Sequence, residues 1–259
     1  VWLTEYSAYD TQETKERICR IVCDNLKDLN IKRTFIKGQC VFRKGAFFSP
    51  KKKCNKPNKF VSQNKEAFDF YVEDSYKKSS VIEVHDGQLY TSRLDLLIKK
   101  DRHNLVSDAQ KDILKLAVIN RYENKKPSIA FIKGFGLQTG AIASSVSHDS
   151  HNIVCVGVEE EDMRDVVNLV VKHKGGIAVF SKDKKIEEVL PLPIAGLMSD
   201  GSYSQVAEKY AKLDALAKEL GSNLTAPFMT LSFMALLVIP EIKLSDKGLF
   251  DVNNFTFIK

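Results

Sequence analysis

The rhythm of apolar positions changes about a third of the way along the chain. From Ile31 to Gly45, β-forming residues flank Gly38 and stop at a second glycine. That pattern predicts a strand, a tight turn and a strand. Ile18 to Val22, followed by Asp24-Asn25, predicts another short strand ending in a turn. Residues 49–66 are rich in Lys, Asn and Pro with no period, which reads as loop or linker. Val81-Ile-Glu-Val84, closed by His85-Asp-Gly87, is a further strand. Residues 1–80 therefore read as a small, mostly β unit with a Lys-rich linker.

Beyond residue 81, strand and helix patterns alternate. Ser107 sits three residues before Gln110 as in a capping box, and Ile113, Leu114, Ala117 and Val118 follow at helical spacing, predicting a helix. Ser128 to Ile132 and Asn152 to Gly157 predict strands. Glu159 to Asp162 put acids at the front of a helix that runs through Val166, Leu169 and Val170. It ends in Lys172-His-Lys174 and Gly175-Gly176, an order that suits the helix macrodipole. Ile177 to Phe180 is the next strand. A long helix opens at Ser202 with Gln205 three residues on, and aligns Val206, Tyr210, Leu213, Ala217 and Leu220 on one face. Strands near Leu231 to Ile239 and a Lys243–Phe257 hairpin around Asp246-Lys-Gly248 close the chain. Residues 81–259 are thus predicted to form an α/β domain, in a chain of mixed α/β (α+β) class.

Composition narrows the functional classes. With 44% hydrophobic and 28% charged residues, the 259-residue chain is neither disordered nor collagen-like. The longest apolar candidate, Phe233 to Ile239, is far short of a membrane helix, and Val1 to Asp10 lacks the apolar core of a signal peptide. The expectation is a cytoplasmic protein with no membrane partner. A first residue of Val rather than Met suggests a fragment or an upstream piece outside the numbering. The net charge of +6 is concentrated at Arg43, Lys44, Lys51, Lys52, Lys53, Lys56, Lys59 and Lys65. No stacking aromatics alternate with these cations, so a solvated loop is expected and no nucleic-acid partner. Five cysteines without CxxC spacing read as reduced thiols.

The densest polar cluster is Ser144-Ser-Val-Ser-His148-Asp149-Ser-His151-Asn152, just before an apolar strand. Two imidazoles and a carboxylate in four residues could serve acid–base work or metal ligation, and one metal could take both rings only if the segment is a loop or helical turn. A hydrogen-bonded turn capping the strand is the plainer reading. A serine nucleophile drawn from Ser144, Ser145 or Ser147 is a further alternative, with little support. Lys133-Gly134-Phe-Gly136-Leu-Gln-Thr-Gly140 follows a strand but misses the dinucleotide fingerprint, since its second glycine gap is three residues. Close backbone approach or a plain turn is the expected use of these glycines. Pro191 to Asp200 reads as a Pro-bounded connection, Met198, Met229 and Met234 as core filling, and His85, His103 and His173 as isolated histidines.

Longer strings carry a resemblance. Phe131-Ile-Lys-Gly-Phe-Gly-Leu137, Gly140-Ala-Ile-Ala-Ser-Ser145, His148-Asp-Ser-His-Asn152 and Pro191-Leu-Pro-Ile-Ala-Gly-Leu-Met-Ser-Asp200 resemble the C-terminal domain of bacterial adenine deaminases. So do Pro227-Phe-Met-Thr-Leu-Ser-Phe233 and Asp246-Lys-Gly-Leu-Phe-Asp-Val-Asn253. Asp24 to Gly38 resembles the returning strand pair of the small β-sandwich that accompanies an amidohydrolase barrel. The resemblance implies metal-assisted hydrolysis of adenine to hypoxanthine and ammonia, as part of purine metabolism. The family's divalent metal, commonly manganese or iron, sits in a (β/α)8 barrel with a His-x-His ligand pair. No His-x-His occurs here, so the implied arrangement is a β-sandwich remnant and a C-terminal domain without the barrel, binding no metal of its own. The missing barrel is then the main partner; a homo-oligomer is compatible. His148, Asp149 and His151 are the expected catalytic accessories facing the barrel's mouth, and Ser145, Asn152, Met198 and Asp200 the expected substrate contacts. A standalone nucleobase-binding or regulatory module is the alternative.

Overall fold

The computed structural model describes residues 2–4, 19–48, 55–74 and 78–258, and they divide into two compact units, 1–54 and 55–259. The first unit is an antiparallel sheet of β1 (Trp2–Thr4), β2 (Cys19–Cys23), β3 (Ile31–Ile36), β4 (Gln39–Arg43) and β5 (Ala46–Phe47), paired in chain order. The predicted turn at Lys37-Gly38 has positive φ at both residues, 51° and 76°. That geometry suits the right-handed twist of a hairpin. Among the described residues this unit is a single five-stranded sheet. Ile18 and Lys51 to Lys53 lie outside the described residues.

The second unit is built on an eight-stranded mixed sheet. In chain order its strands are β6 (Ser79–Val84) and β7 (Thr91–Leu96), then, beyond a small ribbon of β8 (Lys100–Asp101) and β9 (Asn104–Leu105), β10 (Ile113–Ile119), β11 (Ser128–Lys133), β12 (Ala141–Ser144) and β13 (Ile153–Gly157). Helix α1 (Glu160–Lys172) leads to β14 (Gly176–Ser181) and β15 (Ile186–Pro191); α2 (Tyr203–Glu219) and α3 (Pro227–Ser232) follow. A three-stranded sheet of β16 (Ile242–Ser245), β17 (Gly248–Asp251) and β18 (Thr256–Phe257) ends the chain. The large sheet runs β15-β14-β12-β13-β10-β11-β6-β7, antiparallel except for the β6–β11 pair. Among the described residues no strands close into a barrel.

Alternation along the central strands divides the core. Leu116, Val118, Ile142, Val154, Val156 and Val179 face α2 and α3, whereas Ala117, Ala141, Ala143, Cys155 and Ala178 face α1. Small residues on the second face let α1 lie close, packing Met163, Val166, Val167 and Val170 against the sheet. Ser202 caps α2 as predicted, in a reciprocal box with Gln205.

Four expectations are corrected. The 113–118 stretch is strand β10, with all seven of its residues buried. A strand covered on both faces is apolar nearly throughout, so helical spacing fits it by chance. Ser107, read as the cap of that helix, instead accepts the Lys115 amide at 3.1 Å. The stretch near Leu231 to Ile239 holds the end of α3 and turns, started by Pro227 at the first helical turn. Segment 55–66 has no regular structure but belongs to the second unit. The amides of Val61 and Ser62 donate to the Arg121 carbonyl, and buried Lys65 gives its ammonium to Asn124 Oδ1 at 2.8 Å rather than to solvent. Met234 is buried as expected, but Met198 and Met229 are 56% and 54% exposed.

Candidate functional site

Residues 145–152 join the antiparallel neighbours β12 and β13 at one end of the large sheet. The segment forms a turn because its short polar side chains bond locally. Ser144 Oγ accepts the Val146 amide at 3.0 Å, and the His151 amide donates to the Ser147 carbonyl at 2.7 Å, with His151 at φ 53°. Ser145 is fully buried and saturated. Its hydroxyl donates to the Gly196 carbonyl at 2.6 Å and accepts the Gly176 amide at 2.8 Å, tying the 192–200 connection to the start of β14. The His148 amide donates to the Ser232 carbonyl at 2.9 Å, and its ring lies tilted over Phe233 with centroids 4.7 Å apart.

The residue that organises this end was not singled out in the sequence. Arg121 follows β10, whose last residue pairs with the first of β13. Its amide donates to Asn152 Oδ1 at 3.3 Å, Nη1 donates to the Ala195 carbonyl at 2.5 Å, and Nη2 donates to the Tyr122 hydroxyl at 2.8 Å. Tyr122 in turn donates to the Ser150 carbonyl at 3.0 Å. One buried side chain thereby holds both loops. A charged residue in an otherwise polar stretch, Asn120-Arg-Tyr-Glu-Asn124, offers no periodic signal by which to find it.

Of the expected site residues, His148, His151, Ser145 and Asn152 share the turn. Asp149 is exposed beside them. Met198 and Asp200 lie on the connection that Ser145 and Arg121 anchor, but Asp200 is engaged by Lys56 in an ion pair that holds its carboxyl below the usual range. Burial, the nearby Arg121 charge and His148 all hold the His151 imidazole below its ordinary pKa, which favours the neutral ring. The two histidine rings stand 6.2 Å apart. Among the described residues neither imidazole hydrogen-bonds a serine hydroxyl, which leaves the serine-nucleophile alternative without its activating contact.

The family's divalent metal does not fit the side chains described. Among the described residues the one group of three metal-type side chains with mutually close ligand atoms is Glu159, Glu160 and Glu161. Glu160 is committed to fully buried Lys115 at 2.6 Å, in a cluster with the Phe70 carbonyl and Asn104 Oδ1. His148, Asp149 and His151 do not converge in that way. The glycine loop after β11 is equally occupied from within. Asp112 accepts the amides of Gly134 and Gly136 at 2.8 and 2.7 Å, so a side-chain carboxylate fills the position that a phosphate takes in a dinucleotide loop.

Fold and site together define a mixed α/β domain that gathers an arginine and two histidines at one sheet end. The chain belongs to the adenine deaminase C-terminal domain family, whose model matches residues 88–256. Over 251 residues it is 45% identical to an adenine deaminase of Methanosarcina mazei, covering 92% of this chain and 45% of that relative. Adenine deaminases of Salinibacter ruber and Borreliella burgdorferi are 45% and 40% identical over 240 residues each, covering 44% and 43% of those proteins. The chain spans a little under half the length of the curated relatives it matches.

Proposed function

We propose that this chain is the C-terminal region of an adenine deaminase, a cytoplasmic enzyme of purine metabolism that converts adenine and water to hypoxanthine and ammonia. The observation behind this reading is the match to relatives so named over 92% of the chain but only 45% of their length. In this reading the manganese or iron and its ligands belong to a barrel outside these 259 residues. His148, Asp149 and His151 then face that barrel's mouth as acid–base or orienting groups, and Ser145 and Asn152 hold their turn in shape.

The test is adenine conversion by the purified chain with added manganese, following hypoxanthine and bound metal together. No turnover and no stoichiometric metal is the expected result. Hypoxanthine formation at a catalytic rate would overturn the division of labour and mean that this chain builds a complete site. Adenine binding without turnover would assign it the nucleobase-holding role of a standalone module.

A further inference from the structure

Buried polar atoms nearly always find hydrogen-bond partners, and those that do not call for an explanation. Among the described residues six buried side-chain atoms lack one, and three of these, Arg121 Nε, Ser147 Oγ and His151 Nδ1, belong to the sheet end described above. The residues that carry these atoms lie on neighbouring segments, with the Arg121 amide bonded to Asn152 Oδ1. The His151 amide bonds the Ser147 carbonyl, Arg121 reaches Ser150 through the Tyr122 hydroxyl, and the guanidinium charge acts on the His151 ring.

The charge is as unusual as the unpaired atoms. Arg121 is 4% exposed, and the partners of its guanidinium are neutral: the Ala195 carbonyl, and the Tyr122 hydroxyl and ring. No Asp or Glu among the described residues pairs with it. A guanidinium cannot shed its proton, and burying it without a counter-charge is costly. Its Nε–H edge is one side of the fork that binds carboxylates. Ser147 supplies a second donor, and His151 a third when Nδ1 carries its proton. A metal cation is repelled by this set, and a water would satisfy the donors while leaving the charge unanswered. An acceptor-only group with negative charge satisfies both.

We propose that Arg121, Ser147 and His151 form a receptor for one small oxyanion of the carboxylate class beneath the 148–151 turn. The anion is either free in solution or an acidic side chain presented by another part of the protein; the chemistry is the same. This inference does not depend on the adenine reading.

The test is a titration of the full 259-residue chain with sodium formate at constant ionic strength, balanced with sodium chloride, reading histidine side-chain NMR signals. The expected result is a saturable shift of the His151 ring and a rise in its titration midpoint, because an adjacent anion favours imidazolium. His85, which bonds Ser92 between β6 and β7, should not move. Arg121→Lys should weaken the response roughly tenfold or more by removing the fork. Should that variant fail to fold, Ser147→Ala deletes one donor and is expected to weaken it several-fold. A parallel titration with N-acetylglutamate methylamide separates the sources: the same response points to a protein side chain, and response to formate alone to a free anion. No saturable movement of His151 with either compound, or equal responses in the wild type and Ser147→Ala, would overturn the proposal.

Discussion

Lys243 is fully buried on β16, with its ammonium donating to the Leu89 carbonyl at 2.8 Å, and burial pulls its pKa down to about 8. A lysine whose folded pKa is depressed destabilises the fold where the unfolded chain still binds the proton. Stability should therefore rise as pH climbs from about 8 towards the unfolded value of 10.5. Lys243→Met is expected to stabilise the protein at pH 7 by roughly 1–3 kcal/mol and to flatten that rise, read by urea unfolding at several pH values. An unchanged slope would remove the argument. Burial lowers the Lys115 pKa as well, but this lysine has a charged partner, Glu160, that its loss would leave buried and unpaired. Lys115→Met strands the Glu160 carboxylate in the first turn of α1 and should cost about 3–5 kcal/mol in the same measurement. His151 adds an acid limb. Its depressed pKa means that the unfolded chain takes up the proton first, so stability falls as pH drops through the ordinary histidine value of 6.5. His151→Gln should make that limb shallower.

At the scale of elements, the glycine loop and the helix ends support sharper expectations. Gly140 has φ 75°, and a Cβ there would lie 2.6 Å from the Phe180 carbonyl oxygen and 2.7 Å from Leu220 Cδ1. Gly140→Ala should therefore lower stability by at least about 2 kcal/mol, with a matching fall in Tm. Ser202→Ala should cost only about 1 kcal/mol, since a cap is lost but α2 keeps Leu213 and Ala217 in the core. These cases also divide what the sequence could show. The Ser202 box, the acids opening α1 and the strands around it were legible because caps and dipoles act over a single turn. Strand β10 was not. Its residues are buried on both faces, and the partners that make it a strand, β11 and β13, are set by tertiary pairing. The 147–151 turn was legible as a polar cluster, but Arg121, some thirty residues earlier, was not.

For the whole molecule, the division into units 1–54 and 55–259 has a consequence for truncation. Phe70 is fully buried in one cluster with Met163 and Val166 of α1, and its carbonyl accepts Lys115 Nζ at 2.8 Å. A protein beginning at Asn55 should therefore keep a cooperative thermal transition and its near-ultraviolet dichroism. One beginning at Val81, where the sequence pattern changes, should lose both. Retention of both by the shorter protein would show that 55–74 is dispensable wrapping.

The sequence by itself determined the class of the domain, the helix that follows the four acids, the capped helix at Ser202, the turn at Lys37-Gly38 and the family strings that tie the chain to adenine deaminases. All of these depend on residues close together in the chain. Only the tertiary structure decided that Ser145 is a structural clamp, that Asp200 is engaged by Lys56, that Asp112 fills the glycine loop and that Arg121 joins the two loops. Each depends on hydrogen bonds or charges brought together across 22 to 144 residues of chain. Burial then sets what those contacts cost or contribute, and no local pattern encodes it.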